Sequence, residues 1–145
     1  MEASSFYPVA IFHRICLATS RGIPHHREYV LRSVEERGVR LVRLWFTDVL
    51  GNLKSLAISP AELDNALTDG MTFDGSSIDG FSRVQEADVL AIPDPDTFEI
   101  VPWGDPKEPE ARVFCDIHNL DGTPFAGDPR QVLRRHMKAA HEMGL

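Results

Sequence analysis

From Arg27 onward the chain switches repeatedly between two hydrophobic periods. "REYVLRSVEERG", residues 27–38, spaces Val30, Leu31 and Val34 along one helical face, and Gly38 is a natural stop. The period then shortens to two. Val39, Leu41, Arg43, Trp45 and Thr47 fall on one parity, and Arg40, Val42, Leu44 and Phe46 on the other. Both faces are largely apolar, as in a strand inside a sheet. Asp48 to Asn52, with Gly51 for a positive φ, predicts a hairpin turn into a second strand over 53–58. Ser59, Pro60 and Glu62 spell N-cap, first helical position and capping-box partner. Leu63, Ala66 and Leu67 form that helix's apolar stripe, and Gly70 closes it.

"MTFDGSSIDGF", residues 71–81, reads as a glycine-rich loop in which Phe73, Ile78 and Phe81 frame Asp74, Ser76 and Ser77. Beyond it the pattern predicts a short strand at 89–92, a turn at "PDPD", a strand at 97–101 and a polar loop through "GDPKEPE". A strand follows over 111–118, with Val113, Cys115 and Ile117 alternating against Phe114 and Asp116. After the loop "NLDGTPFAGDP", a helix over 129–142 is capped by Asp128, with Val132, Leu133, Met137 and Ala140 on one side. The order predicts a small α+β domain: a mixed sheet with a helix packed across one face, flanked by an N-terminal and a C-terminal helix. Residues 1–26 have no clear period and read as an irregular extension.

Composition narrows the picture. The 145 residues are 43% hydrophobic and 26% charged, enough for one domain with its own core. A formal net charge of −7 argues against nucleic acid and against an anionic membrane surface. Cys16 and Cys115 form no CxxC pair and read as reduced, mostly buried thiols. Residues 6–18 are fairly apolar, but Glu2 precedes them and His13 and Arg14 interrupt them, unlike a signal peptide. No stretch approaches the roughly 18 apolar residues of a membrane span. A cytoplasmic protein is expected.

The usual catalytic templates fail. The six histidines lack metal-ligand spacing, GxxxxGK[ST] is absent, and so is GxSxG. Asp74 remains. A carboxylate on such a loop binds a cation or accepts a proton; equally, it makes an Asx-type turn with Ser76. Asp48 reads as a structural turn residue, and Arg83, Glu86 and Asp88 as a solvated charged face.

Taken together, "RLWFTDVLGNLKS", "MTFDGSSIDGFSRVQEADVLAIPDPDTFEIVPW" and "ARVFCDIHNLDGTPFAGDPR" resemble the N-terminal β-grasp domain of the bacterial type I glutamine synthetases, in order, from about Arg27 to Leu145. The resemblance implies a division into the extension 1–26, a β-grasp domain over 27–126 and the start of a catalytic domain over 127–145. It implies a family that ligates ammonia to glutamate with ATP and Mg²⁺ or Mn²⁺, in a homo-oligomeric ring whose active sites lie between neighbouring subunits. By the same resemblance Asp74 and Ser77 belong to the ammonium site of the neighbouring subunit, and Phe73, Ile78 and Phe81 position their loop. Phe81 stands where some relatives have tryptophan. "GFSR" is similar to the Gram-positive style of the family, in which an arginine matching Arg83 senses glutamine.

Residues 1–26 have no counterpart in the family pattern. The family's metal ligands, ATP site and glutamate-binding arginines belong to a larger C-terminal domain. The chain alone is therefore expected to hold no metal, to bind neither ATP nor a divalent cation, and to be inactive. Two other readings remain: part of a glutamine synthetase-like γ-glutamyl-polyamine ligase, or a stand-alone β-grasp interaction module that docks on an intact ring.

Overall fold

The computed structural model describes residues 25–78 and 88–144. Phe81, Arg83 and Cys16, and nearly all of the expected extension, lie outside the described residues. Helix α1 spans His25–Glu36, beginning two residues before the expected Arg27. It buries Val30 and Val34 and ends ahead of Gly38, whose φ is +61°. Strands β1 (Leu41–Thr47) and β2 (Leu53–Ile58) form the expected antiparallel hairpin, with Leu44 opposite Leu56 and Thr47 opposite Leu53.

The capping box at the next element is formed: the Glu62 carboxylate accepts hydrogen bonds from the Ser59 N–H at 2.9 Å and hydroxyl at 2.8 Å. A 3-10 turn, Pro60–Glu62, leads into helix α2 (Leu63–Asp69), which buries Leu63 and Ala66. Gly70 ends it at φ +77°; a Cβ there would lie 2.8 Å from Leu90 Cγ and 3.0 Å from the Ala91 carbonyl oxygen, so glycine serves both the backbone and the close approach.

The first departure follows at once. Met71–Asp74, expected as loop, is strand β3, paired antiparallel with β4 (Asp88–Pro93). The expected strand over 97–101 shrinks to β5 (Glu99–Ile100), because Pro95–Thr97 form a 3-10 turn capped by the Asp94 side chain. Strand β6 (Glu110–Asn119) is the spine of the sheet. It pairs parallel with β1, antiparallel with β5 along its first half and antiparallel with β4 along its second. The order is β2-β1-β6-β4-β3, a mixed sheet.

Register places one parity of every strand on a common face. Val42 lies opposite Ala111, Leu44 opposite Val113, Ala91 opposite Ile117 and Phe73 opposite Val89, and all are buried. Val30 and Val34 of α1 and Leu63 and Ala66 of α2 join the same cluster. Each fully buried aliphatic side chain there contributes about 1.5–3 kcal/mol of hydrophobic stabilisation. The other parity of β1 is half-exposed rather than core. On that face Trp45 packs edge-on to Phe114 at 5.6 Å, and the Arg112 guanidinium sits 5.5 and 5.1 Å from the two ring centres.

Helix α3 (Pro129–Glu142) starts as expected at Asp128, but it buries no residue, and Leu133 is 58% exposed. The anticipated apolar stripe therefore does not join this core. Polar ties hold the helix instead. The buried Asp128 carboxylate accepts from the Arg130 N–H at 3.0 Å and from the Ile117 N–H of β6 at 2.9 Å. Arg130 and Arg134 both pair with Asp94 and Asp116. Burial pushes the Asp116 carboxyl up, against the pull of the two arginines.

Candidate functional site

β3 ends in a turn that separates buried from exposed residues one position at a time. Phe73 is buried, Asp74 exposed, Gly75 buried, Ser76 and Ser77 exposed, and Ile78 fully buried. Phe73 packs against Phe46 of β1, ring centres 4.8 Å apart. Ile78 closes the 3-10 turn Gly75–Ser77 by donating its N–H to the Gly75 carbonyl at 3.0 Å. Its own carbonyl accepts the Val49 N–H at 3.2 Å, which ties the turn to the β1–β2 hairpin. Two of the three expected framing residues, Phe73 and Ile78, are thus anchors; Phe81 lies outside the described residues.

The Asp74 side chain caps this turn. Its Oδ1 accepts the Ser76 N–H at 2.9 Å, so the Asx-type turn is present. That hydrogen bond, with a second from the Ser76 side chain, holds the Asp74 carboxyl below the usual carboxylate range. The residue is therefore an exposed anion at neutral pH. Turn-making and cation-binding are not rivals here, because the same bond fixes the carboxylate's orientation. Ser77 is exposed as well. Arg83 lies outside the described residues.

The neighbour of this turn is the hairpin tip at Asp48, expected as a structural turn residue and found as one. Asp48 is 5% exposed, and its carboxylate gathers the tip of the hairpin that holds Ile78. What sequence reasoning missed is the Val49–Ile78 bond that joins this tip to the Asp74 turn, for which no local pattern gives a signal. Elsewhere, burial pushes the Cys115 thiol far up, which leaves it an inert core side chain. Among the described residues no three His, Cys, Asp or Glu side chains converge as metal ligands. The described part of the chain thus offers no donor set for the divalent cations the resemblance implies. No helix among the described residues is long and apolar enough to cross a membrane.

Comparison with known proteins decides the family. Residues 38–120 match the glutamine synthetase β-grasp domain. The chain belongs to this family. It is 57% identical over 120 residues to the glutamine synthetase of Mycobacterium tuberculosis, covering 81% of this chain and 27% of that protein. The glutamine synthetases of Clostridium saccharobutylicum and Staphylococcus aureus are 47% and 43% identical over 118 residues each. Among solved structures, one described as "GmaS/ADP complex-Conformation 1" superposes with a TM-score of 0.69 at 26% identity, covering 79% of this chain and 26% of that one. A second, "Apo GmaS without ligand", gives 0.63 at 28% identity, covering 72% and 24%. The chain spans about a quarter of the length of these relatives. The mixed sheet and its helices fit the α+β, β-grasp architecture expected of the family.

Proposed function

We propose that this chain is the ammonium-side part of a glutamine synthetase, an ATP-dependent ligase joining ammonia to the γ-carboxylate of glutamate in the cytoplasm. In this reading Asp74 and Ser77 complete the active site of a neighbouring subunit in a homo-oligomeric ring. The observation that carries it is the turn itself: an anionic side chain held outward by its own backbone, on residues whose apolar neighbours are sunk in the core. Ammonium is a compact cation. A fixed carboxylate attracts it, and the attraction grows when a second surface covers the pair and displaces water. Asp74 then accepts the proton that ammonium must lose before nitrogen can attack. Ser77 supplies a hydroxyl acceptor beside it. Rigidity matters because small displacements of reacting groups cost large factors in rate.

Ammonia is preferred over a polyamine because the relatives at 43–57% identity carry the name glutamine synthetase. Phe81 as a third anchor and Arg83 as a glutamine-sensing residue belong to the same proposal. ATP and the divalent cation of the full-length family are assigned to the part of those proteins that this chain does not span.

The test mixes the purified chain with the remainder of the Mycobacterium tuberculosis enzyme, expressed separately, in glutamate, ammonium chloride, ATP and Mg²⁺. Assembly is followed by sedimentation. Glutamine is expected from the mixture, none from the chain alone, and none from a mixture carrying Asp74→Ala. Glutamine from the chain alone, or none from a mixture that has assembled, would overturn the proposal.

A further inference from the structure

The β1–β2 hairpin tip carries a buried carboxylate that the reaction outlined above does not use. Asp48 Oδ1 accepts the Leu50 N–H at 3.0 Å and the Asn52 N–H at 2.8 Å, and Oδ2 accepts the Asn52 Nδ2–H at 2.9 Å. Lys54 Nζ lies 3.7 Å from Oδ2. The main chain adds Asp48 N–H to the Asn52 carbonyl at 3.0 Å and Gly51 N–H to the Asp48 carbonyl at 2.9 Å. A connector between two strands needs no such network, since the turn backbone closes on its own. The tip is nonetheless gathered around one side chain, and hydrogen bonds to an ionised acceptor are the strong kind.

What the network fixes is the peptide between Asp48 and Leu50. The Val49 N–H points across to the Ile78 carbonyl at 3.2 Å. Ile78 is the residue that closes the turn opening at Asp74. Contacts therefore run unbroken from the Asp48 carboxylate, through the hairpin tip and the Val49–Ile78 bond, to the turn that orients Asp74. Resting on the reading of Asp74 as the ammonium ligand, we propose that Asp48 is a positioning residue for the ammonium site, holding the Asp74–Ile78 turn in place through the Val49 amide. It touches no substrate and acts only through the turn. An amide at this position keeps the Oδ1 acceptor for the Leu50 and Asn52 amides but loses the carboxylate acceptor for Asn52 Nδ2; alanine loses both.

The test compares Asp48→Ala and Asp48→Asn with the unaltered chain, with Asp74→Ala alongside. Amide hydrogen exchange is read on the full chain and ammonium-dependent glutamine formation on the assembled mixture. Asp48→Ala is expected to speed exchange at Val49, Ser76 and Ile78 roughly tenfold more than at Val113 in the core strand β6. It is expected to raise the KM for ammonium about tenfold while kcat changes less than about twofold, with Asp48→Asn intermediate in both readouts. Should Asp48→Ala not fold, Asp48→Asn, which keeps the volume, carries the comparison. Equal acceleration at Val113 and the turn amides would make Asp48 merely structural and overturn the proposal. An unchanged KM in Asp48 variants, while Asp74→Ala abolishes activity, would overturn it and leave the site reading standing. Full activity in Asp74→Ala would bring down the site reading itself, and with it any positioning role toward that site, whatever the exchange data show.

Discussion

Ile78 and Asp74 sit four residues apart and do opposite things with their surroundings. Ile78 has no exposure at all, and its carbonyl and N–H are both engaged. Asp74 faces solvent, with one carboxylate oxygen engaged by the Ser76 N–H. The exposed residue can be held still only because the buried one is. Truncating Ile78 to alanine removes buried methyl groups and leaves a cavity, so Ile78→Ala is expected to cost about 2–5 kcal/mol in urea unfolding. A loss below about 1 kcal/mol would show that Ile78 does not anchor the turn. The apolar frame was legible in the sequence, since Phe73 and Ile78 interrupt a polar, glycine-rich stretch without any loop-forming reason to do so. The tie from the Asp48 hairpin tip to this turn was not: the Val49–Ile78 bond joins two turns far apart in sequence.

At the scale of elements, local punctuation predicted local structure well. Ser59, Pro60 and Glu62 start a helix, Asp128 and Pro129 start another, and Gly51 turns a hairpin with φ +83°. Strand β3 escaped because four residues between glycines carry too little periodicity, and its pairing with β4 is a tertiary fact. The attachment of α3 escaped for the opposite reason. Its apolar stripe was legible, but the contacts that fix it are ionic, through Asp94, Asp116, Arg130 and Arg134.

These carboxylates give the elements a pH dependence. Hydrogen bonds from the Asn52 side chain to Asp48, from the Ser59 N–H to Glu62 and from the Arg43 side chain to Glu110 hold those groups below their ordinary values of 3.8, 4.5 and 4.5. Each adds stability above its ordinary value and loses it as pH falls through the lower folded value. Asp116 runs the other way. With its folded value raised above 3.8, its contribution is fully present below 3.8 and is lost as pH rises through the raised value. Thermal stability of the chain is therefore expected to fall on acidification below about pH 4.5. The fall should be steeper in Asp116→Asn, which lacks the opposing group. Melting curves across that range check this, and an identical slope in the variant would contradict the assignment.

At the scale of the whole molecule, the parallel pairing of β1 with β6 defines the sheet and lay beyond what strand patterns in one sequence reveal. The family resemblance supplied that architecture where periodicity could not, because long motifs in register encode a topology as well as a set of strands. The described sheet carries a charged turn at the end of its edge strand β3. In the proposed function this turn serves a site completed by another surface. The measurement that tests it most directly replaces the matching N-terminal segment of the Mycobacterium tuberculosis glutamine synthetase with this chain, which is 57% identical over 120 residues, and follows glutamine formation against ammonium concentration. An active chimera whose Asp74→Asn variant loses about a hundredfold or more in kcat/KM for ammonium is the predicted result. An active chimera indifferent to Asp74→Asn would contradict the account.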